Sequence, residues 1–202
     1  MKKLEASYYQ NPDVEFLARD FLGKILFTQK DGEITAGIIV ETEAYFGIAD
    51  QASHAFGGRR TLRTEPMYGQ GGIAYVYLCY GIHYLFNIVT SGKDEPSCVL
   101  VRAVKPFAGH EIIESRRHMP VSKITITSGP ASLAKALGID LSFNRKDLTG
   151  DEIWIEDAGI SYSPEDIAAV PRIGVAYAGG HALLPLRFYL KNNRYVSKPQ
   201  RD

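Results

Sequence analysis

The sequence predicts a single α+β domain: a mainly antiparallel, curved sheet with surrounding helices and a protruding β-hairpin. Three observations lead there. Apolar runs of period two dominate, and they do not alternate regularly with helical segments, which argues against a parallel βαβ sheet. Asp31-Gly32 lies between two strand-like runs, where a tight hairpin turn belongs. The stretch from Pro66 to Gly92 contains no Asp, Glu, Lys or Arg, and its alternation is broken only at Tyr80-Gly81. The chain has 202 residues, 45% of them apolar and 23% charged, so one domain over residues 1–202 with an ample core is expected.

Taken in order, Asn11-Pro12 predicts a helix start, with Asn as N-cap and Pro at the first helical position. Val14, Leu17, Ala18, Phe21 and Leu22 share one face of it, and Gly23 closes it. Lys24 to Gln29 reads as a strand. Ile34 to Tyr45 is a second one, with Gly37-Ile38-Ile39-Val40 as its buried part. Gly47 to Thr64 is irregular and polar. Ile73 to Cys79 and Ile82 to Val89 form the hairpin with Tyr80 near its tip. Ser97 to Ala103 is a strand ending at Lys105-Pro106. His110 to Arg117 is helical, and Ser128-Gly129-Pro130 opens a helix through Leu137. Short strands are expected over 152–156, 172–176 and 186–190.

Composition narrows the function. A formal net charge of zero argues against a strongly basic nucleic-acid binder but permits a local basic face. Cys79 and Cys98, the only cysteines, sit in apolar strand-like runs, as buried thiols in a reducing compartment do. MKKLEASYYQ has no apolar signal segment. The uncharged stretch has period two and carries Gln70, Gly81, His83 and Asn87, so it does not read as a membrane span. Histidines and cysteines do not group at metal-ligand spacing, and neither a GxGxxG nor a P-loop is present, so no metal and no cofactor is expected.

Glu41 and Glu43 share one strand face with Tyr45. Spacing alone leaves two readings, acid/base chemistry beside aromatics or an exposed strand edge. Arg102 ends an apolar run; it is either an exposed strand end or a buried guanidinium seeking a carboxylate such as Glu41 or Glu43. His54 lies in the polar loop. Arg59, Arg60 and Arg63 lie between the carboxylate strand and the hairpin. With Arg116, Arg117 and Lys123 they form either a phosphate-contacting face or a solvated surface.

Together these residues resemble the alkyladenine (3-methyladenine) DNA glycosylase family, in a compact bacterial-type form. The resemblance rests on VETEAY (40–45), His54 with GGR (57–59), YVYLCYGIHYLFN (75–87), CVLVRA (98–103), SGPASLAKAL (128–137), RIGV (172–175) and PLRFY (185–189), and covers nearly the whole chain. It implies a monofunctional enzyme acting on double-stranded DNA that contains a damaged purine. The enzyme flips the base out and hydrolyses its N-glycosidic bond. It further implies Glu43 as the general base, and Arg102 and the backbone carbonyl of Ile173 as groups that position the water. Tyr45, His54 and Tyr77 become the base pocket, and Asn87 the group that clashes with the 2-amino of guanine. Tyr80 is implied as the intercalating wedge and Glu41 as structural; Arg59, Arg60 and Arg63 remain, from their charge and position, candidates either for the DNA backbone or for holding the loop together. A cytoplasmic monomer without cofactor is the corresponding expectation. Ile82 stands beside the wedge at a variable position and leaves lesion preference open. A hydrolase of free nucleosides would not need an exposed Tyr80. A non-catalytic damage-binding module would not need Glu43.

Overall fold

The computed structural model describes residues 1–199. Its elements run β1 (Lys2–Lys3), α1 (Ala6–Tyr9), α2 (Val14–Asp20), β2 (Ile25–Lys30), β3 (Glu33–Phe46), β4 (Ala74–Cys79), β5 (His83–Thr90), β6 (Ser97–Ala108), α3 (His110–Arg117), α4 (Pro130–Ala136), β7 (Ile153–Asp157), β8 (Ile167–Val170) and β9 (Arg187–Leu190). Among the described residues all nine strands join one antiparallel sheet in the order β1-β7-β2-β3-β6-β5-β4, with β9 on β3 and β8 on β9. The α+β class follows directly.

β3 organises this sheet. Its first half pairs with β2 through the Lys30↔Glu33 hairpin, where Asp31 and Gly32 both take positive φ. Its second half pairs with β9, at Glu41↔Tyr189, Thr42↔Phe188 and Glu43↔Arg187. Along the opposite edge β6 pairs with β3 from Ala36 to Phe46, and three irregularities interrupt that ladder, the first where Phe107 is skipped on β6 between Ala36↔Ala108 and Gly37↔Pro106. Val40 is skipped on β3 between Ile39↔Val104 and Glu41↔Ala103. Arg102 is then skipped on β6 between Glu41↔Ala103 and Thr42↔Val101. A bulge bends its strand and re-aims the side chain it carries. Here it places Arg102 between the two carboxylates of β3.

One large core fills the space between the sheet and helices α2, α3 and α4, with Leu17, Phe21, Val76, Phe86, Val101, Leu133 and Phe188 among its members. A smaller cluster of Ala55, Met67, Tyr68, Tyr75, Val89 and Cys98 packs the irregular loop against the hairpin.

The boundaries differ from expectation at four places. Asp13, not Asn11, caps α2: its carboxylate accepts from the Phe16 N–H, while Asn11 accepts from the Asp13 N–H one turn earlier. β6 continues past Pro106 to Ala108, because Pro106 pairs with Gly37 there. β8 does not stand out in the sequence. Residues 172–176 are not a strand. Gly174 has φ +79°, the segment leads into a run of 3₁₀ turns, and the alternation of Ile173 and Val175 reflects packing under the site.

Candidate active site

The site lies where β3, the irregular loop, the hairpin and the 172–177 segment meet, around a cavity of about 500 Å³. Tyr45, His54, Arg63, Tyr75, Tyr77, Tyr80, Asn87, Arg102, Ile173 and Tyr177 line it. It therefore brings together eight of the expected site residues, Arg63 among them, while Arg59 and Arg60 do not line it. Glu43 lies just behind its wall, fully buried, and each group that touches its carboxylate is a lining residue. The Tyr45 hydroxyl donates to Glu43 Oε2 at 2.8 Å. The Ile173 N–H donates to Oε1 at 2.8 Å, and Arg102 Nη1 lies 3.1 Å from the same oxygen. The group that Ile173 presents to Glu43 is thus its backbone N–H.

A carboxylate has about four acceptor directions, and these contacts occupy three of them. Burial and the adjacent Glu43 charge both hold the Tyr45 phenol well above its usual pKa, so it remains a donor. Burial alone lowers the Arg102 pKa, but Glu43 and Glu41 more than offset this and keep the guanidinium charged.

Glu41 has a different surrounding. It too is fully buried, and it accepts from Arg102 Nε at 2.8 Å, Arg187 Nη1 at 2.9 Å, the Ser197 hydroxyl at 2.9 Å and the Ser197 N–H at 2.6 Å. Its oxygens are saturated, so it can orient Arg102 but has little capacity to receive a further proton donor. Two carboxylates two residues apart are thereby separated in role by their neighbours.

A second buried pair braces the wall. Arg172 and Asp50 are ion-paired with both side chains fully buried, and Arg172 Nη1 also donates to the Ala44 carbonyl at 2.9 Å. The Arg172 guanidinium lies 4.7 Å from the Tyr45 ring centroid. This cluster fastens the segment holding Ile173 to the end of β3. Asp50 and Ser197 carried no sequence signal beyond their polarity, and Arg187 belonged to the PLRFY motif but had no assigned partner. Arg172 belonged to a motif but had no assigned partner.

His54 approaches the Tyr77 ring edge-on at 4.7 Å, and its Nδ1 lies 2.9 Å from the Tyr75 hydroxyl. Burial, then Arg63 and Arg59, push its pKa down to about 4. The ring is neutral at pH 7, which suits stacking with a cationic base. The unfolded chain, with an ordinary histidine, binds a proton first as pH falls, so this contribution to stability is present above pH 6.5 and lost towards pH 4. Denaturant melts at pH 7 and 4.5 should show roughly 2 kcal/mol of loss from this residue, absent in His54→Gln.

Asn87 is buried on β5; its amide donates to the Tyr75 carbonyl at 3.1 Å, which orients it at the cavity. Tyr80 is 91% exposed at the hairpin tip, with φ +50° followed by Gly81 at φ +73°. A bulky residue in the left-handed region costs about 1 kcal/mol or more and is tolerated where the turn demands it. The three loop arginines part company. Arg60 is held by Glu65 and Asp94 over the Tyr68 ring. Arg59 contributes its carbonyl to Tyr68 and Thr64. Arg63 turns into the cavity, 4.8 Å from the Tyr77 ring centroid. Among the described residues no group of three His, Cys, Asp or Glu is placed to hold a metal, and no helix is long and apolar enough to cross a membrane.

The family model described as methylpurine-DNA glycosylase matches residues 7–194. A protein of Chlamydia felis is 45% identical over 93% of this chain and 95% of its own length. One of Desulfitobacterium hafniense is 41% identical over 98% and 99%, and one of Bacillus licheniformis 42% identical over 96% of each. All three carry the name "Putative 3-methyladenine DNA glycosylase". With its length matched almost end to end, this chain belongs to the methylpurine-DNA glycosylase family, hydrolases of N-glycosyl bonds.

Proposed function

We propose that the protein flips alkylated or deaminated purines, of the 3-methyladenine, hypoxanthine, ethenoadenine and 7-methylguanine class, out of double-stranded DNA. It hydrolyses their N-glycosidic bond with a Glu43-activated water and leaves an abasic site. It acts as one monomeric domain, without a cofactor, on cytoplasmic DNA. The observation that carries this reading is the buried Glu43 carboxylate, held directly behind the cavity wall by three groups that line the cavity. Arg102 and Ile173 fix the carboxylate and hence the line of attack. As the bond breaks, the sugar gains oxocarbenium character, and the nearby negative charge stabilises it. Tyr45, His54 and Tyr77 supply aromatic surface for the extruded base, worth about 0.5–2 kcal/mol where the base is cationic. Asn87 excludes the 2-amino group of an undamaged guanine.

Tyr80 fills the vacated stack, compensating part of the few kcal/mol that extrusion costs. Its exposure favours a duplex substrate over a free nucleoside. The deciding experiment incubates the protein with duplexes carrying a single hypoxanthine or ethenoadenine, or with methylated DNA, followed by alkaline cleavage. Strand breaks at the lesion are expected; their absence on every lesion would sink the proposal. For the wedge, Tyr80→Ala should reduce turnover on paired lesions about 10-fold or more while affecting single strands little, given about 1–3 kcal/mol for base–aromatic stacking. Equal losses on both substrates would count against it.

A further inference from the structure

Arg63 is the one loop arginine whose guanidinium lines the cavity, where it shares the space with Tyr45, His54 and Tyr77. Among the described residues no carboxylate lies within ion-pair distance of it, whereas Arg60, three residues earlier, is saturated by Glu65 and Asp94. Its guanidinium lies 4.8 Å from the Tyr77 ring centroid, and its charge acts on His54, Tyr75 and Tyr77. A cation that lines a pocket for purines is not neutral towards them. It opposes a base that arrives positively charged. It also offers a planar fork of N–H donors, which matches two adjacent acceptors on a purine edge.

Building on the proposed glycosylase activity, we infer that Arg63 is a specificity-determining residue that selects neutral, acceptor-rich purines by donating to their O6/N7 edge and disfavours cationic ones. Hypoxanthine presents O6 and N7 as two acceptors, the pattern arginine reads on guanine. Protonation-like charge on 3-methyladenine repels the guanidinium, and its 6-amino group puts a donor against a donor. The aromatic walls pull the other way, since they favour cations. The net lesion preference is then a balance between the rings and Arg63 within a single cavity.

The test compares single-turnover excision of hypoxanthine from a defined duplex with release of 3-methyladenine from methylated duplex DNA, for the parent, Arg63→Gln and Arg63→Lys proteins. Arg63→Gln should shift the hypoxanthine to 3-methyladenine rate ratio towards 3-methyladenine by about ten- to a hundred-fold, the worth of one bidentate purine contact. Arg63→Lys keeps the charge without the fork, and should retain part of the discrimination. A proton titration of His54 by NMR should move up in Arg63→Gln, which checks that the charge acts inside the cavity. Equal losses on both lesions, with a shallower salt dependence of binding, would show that Arg63 grips a phosphate and overturn the inference. An unchanged ratio overturns it as well. Parent protein inactive on both lesions overturns the glycosylase reading itself, and this inference with it.

Discussion

Replacing Glu43 by Gln is expected to lower the single-turnover rate of abasic-site formation by about 10²–10⁴-fold, the usual contribution of a positioned general base. Lesion binding should be nearly unchanged. The substitution keeps the shape of the group and one oxygen able to accept from Tyr45 or from the Ile173 N–H. Arg102 retains its Glu41 partner, so no buried cation is abandoned. The change therefore removes a base and a negative charge while leaving the pocket standing. Gel-shift titration on a hypoxanthine duplex beside alkaline cleavage measures the two effects separately. Activity within 10-fold of the parent would remove Glu43 from the mechanism and favour a water activated elsewhere.

The corresponding change two residues earlier should act on the fold instead. Glu41→Ala is expected to destabilise the protein by about 3–5 kcal/mol, the loss associated with removing one partner of a buried ionic cluster. Arg102 and Arg187 both point at Glu41; Arg102 would keep Glu43 as a counter-charge, but Arg187 would lose its carboxylate and keep only the carbonyls of Pro171, Ser197 and Lys198. On a domain whose total stability is about 5–15 kcal/mol, such a loss is visible in any denaturant melt. A midpoint close to the parent's would mean that the cluster relaxes without cost. Comparing the two substitutions separates a carboxylate used for chemistry from one used for structure, although both are fully buried on the same strand.

Much of the fold was legible because its signals are local. The period-two run of β3, the Asp31-Gly32 turn and the Tyr80-Gly81 interruption each declare themselves within ten residues, and each appears in the structure where it was expected. The His110–Arg117 helix is equally plain. What escaped depends on residues far apart in the chain. Nothing near Ser197 shows that it meets Glu41, and nothing near Asp50 shows that it pairs with Arg172. Those contacts are 156 and 122 residues apart. The expected strand at 172–176 failed for the same reason. Its apolar alternation is real, but a distant ion pair and the contact of Ile173 with Glu43 decide its path, not a neighbouring strand. β8 is four residues long, too short for alternation to stand out. In the site, the motif residues gathered as a group, while the distinction between Arg60 and Arg63 needed three-dimensional placement, since both are arginines in one loop.

The Glu41 cluster also bears on when this molecule becomes itself. Glu41 lies in the first quarter of the chain, Arg102 near its middle, and Arg187 and Ser197 close to the last residues described. A ribosome makes the carboxylate long before it makes Arg187, which helps neutralise it, and Ser197, which hydrogen-bonds to it. Until β9 and the residues after it emerge, the centre of β3 holds a charge that the growing apolar core cannot accept, and pairing at such sequence separation is slow to form. The end of β3 that carries Glu43 is thus expected to be among the last parts of the sheet to lock, so that partly synthesised chains remain inert towards DNA.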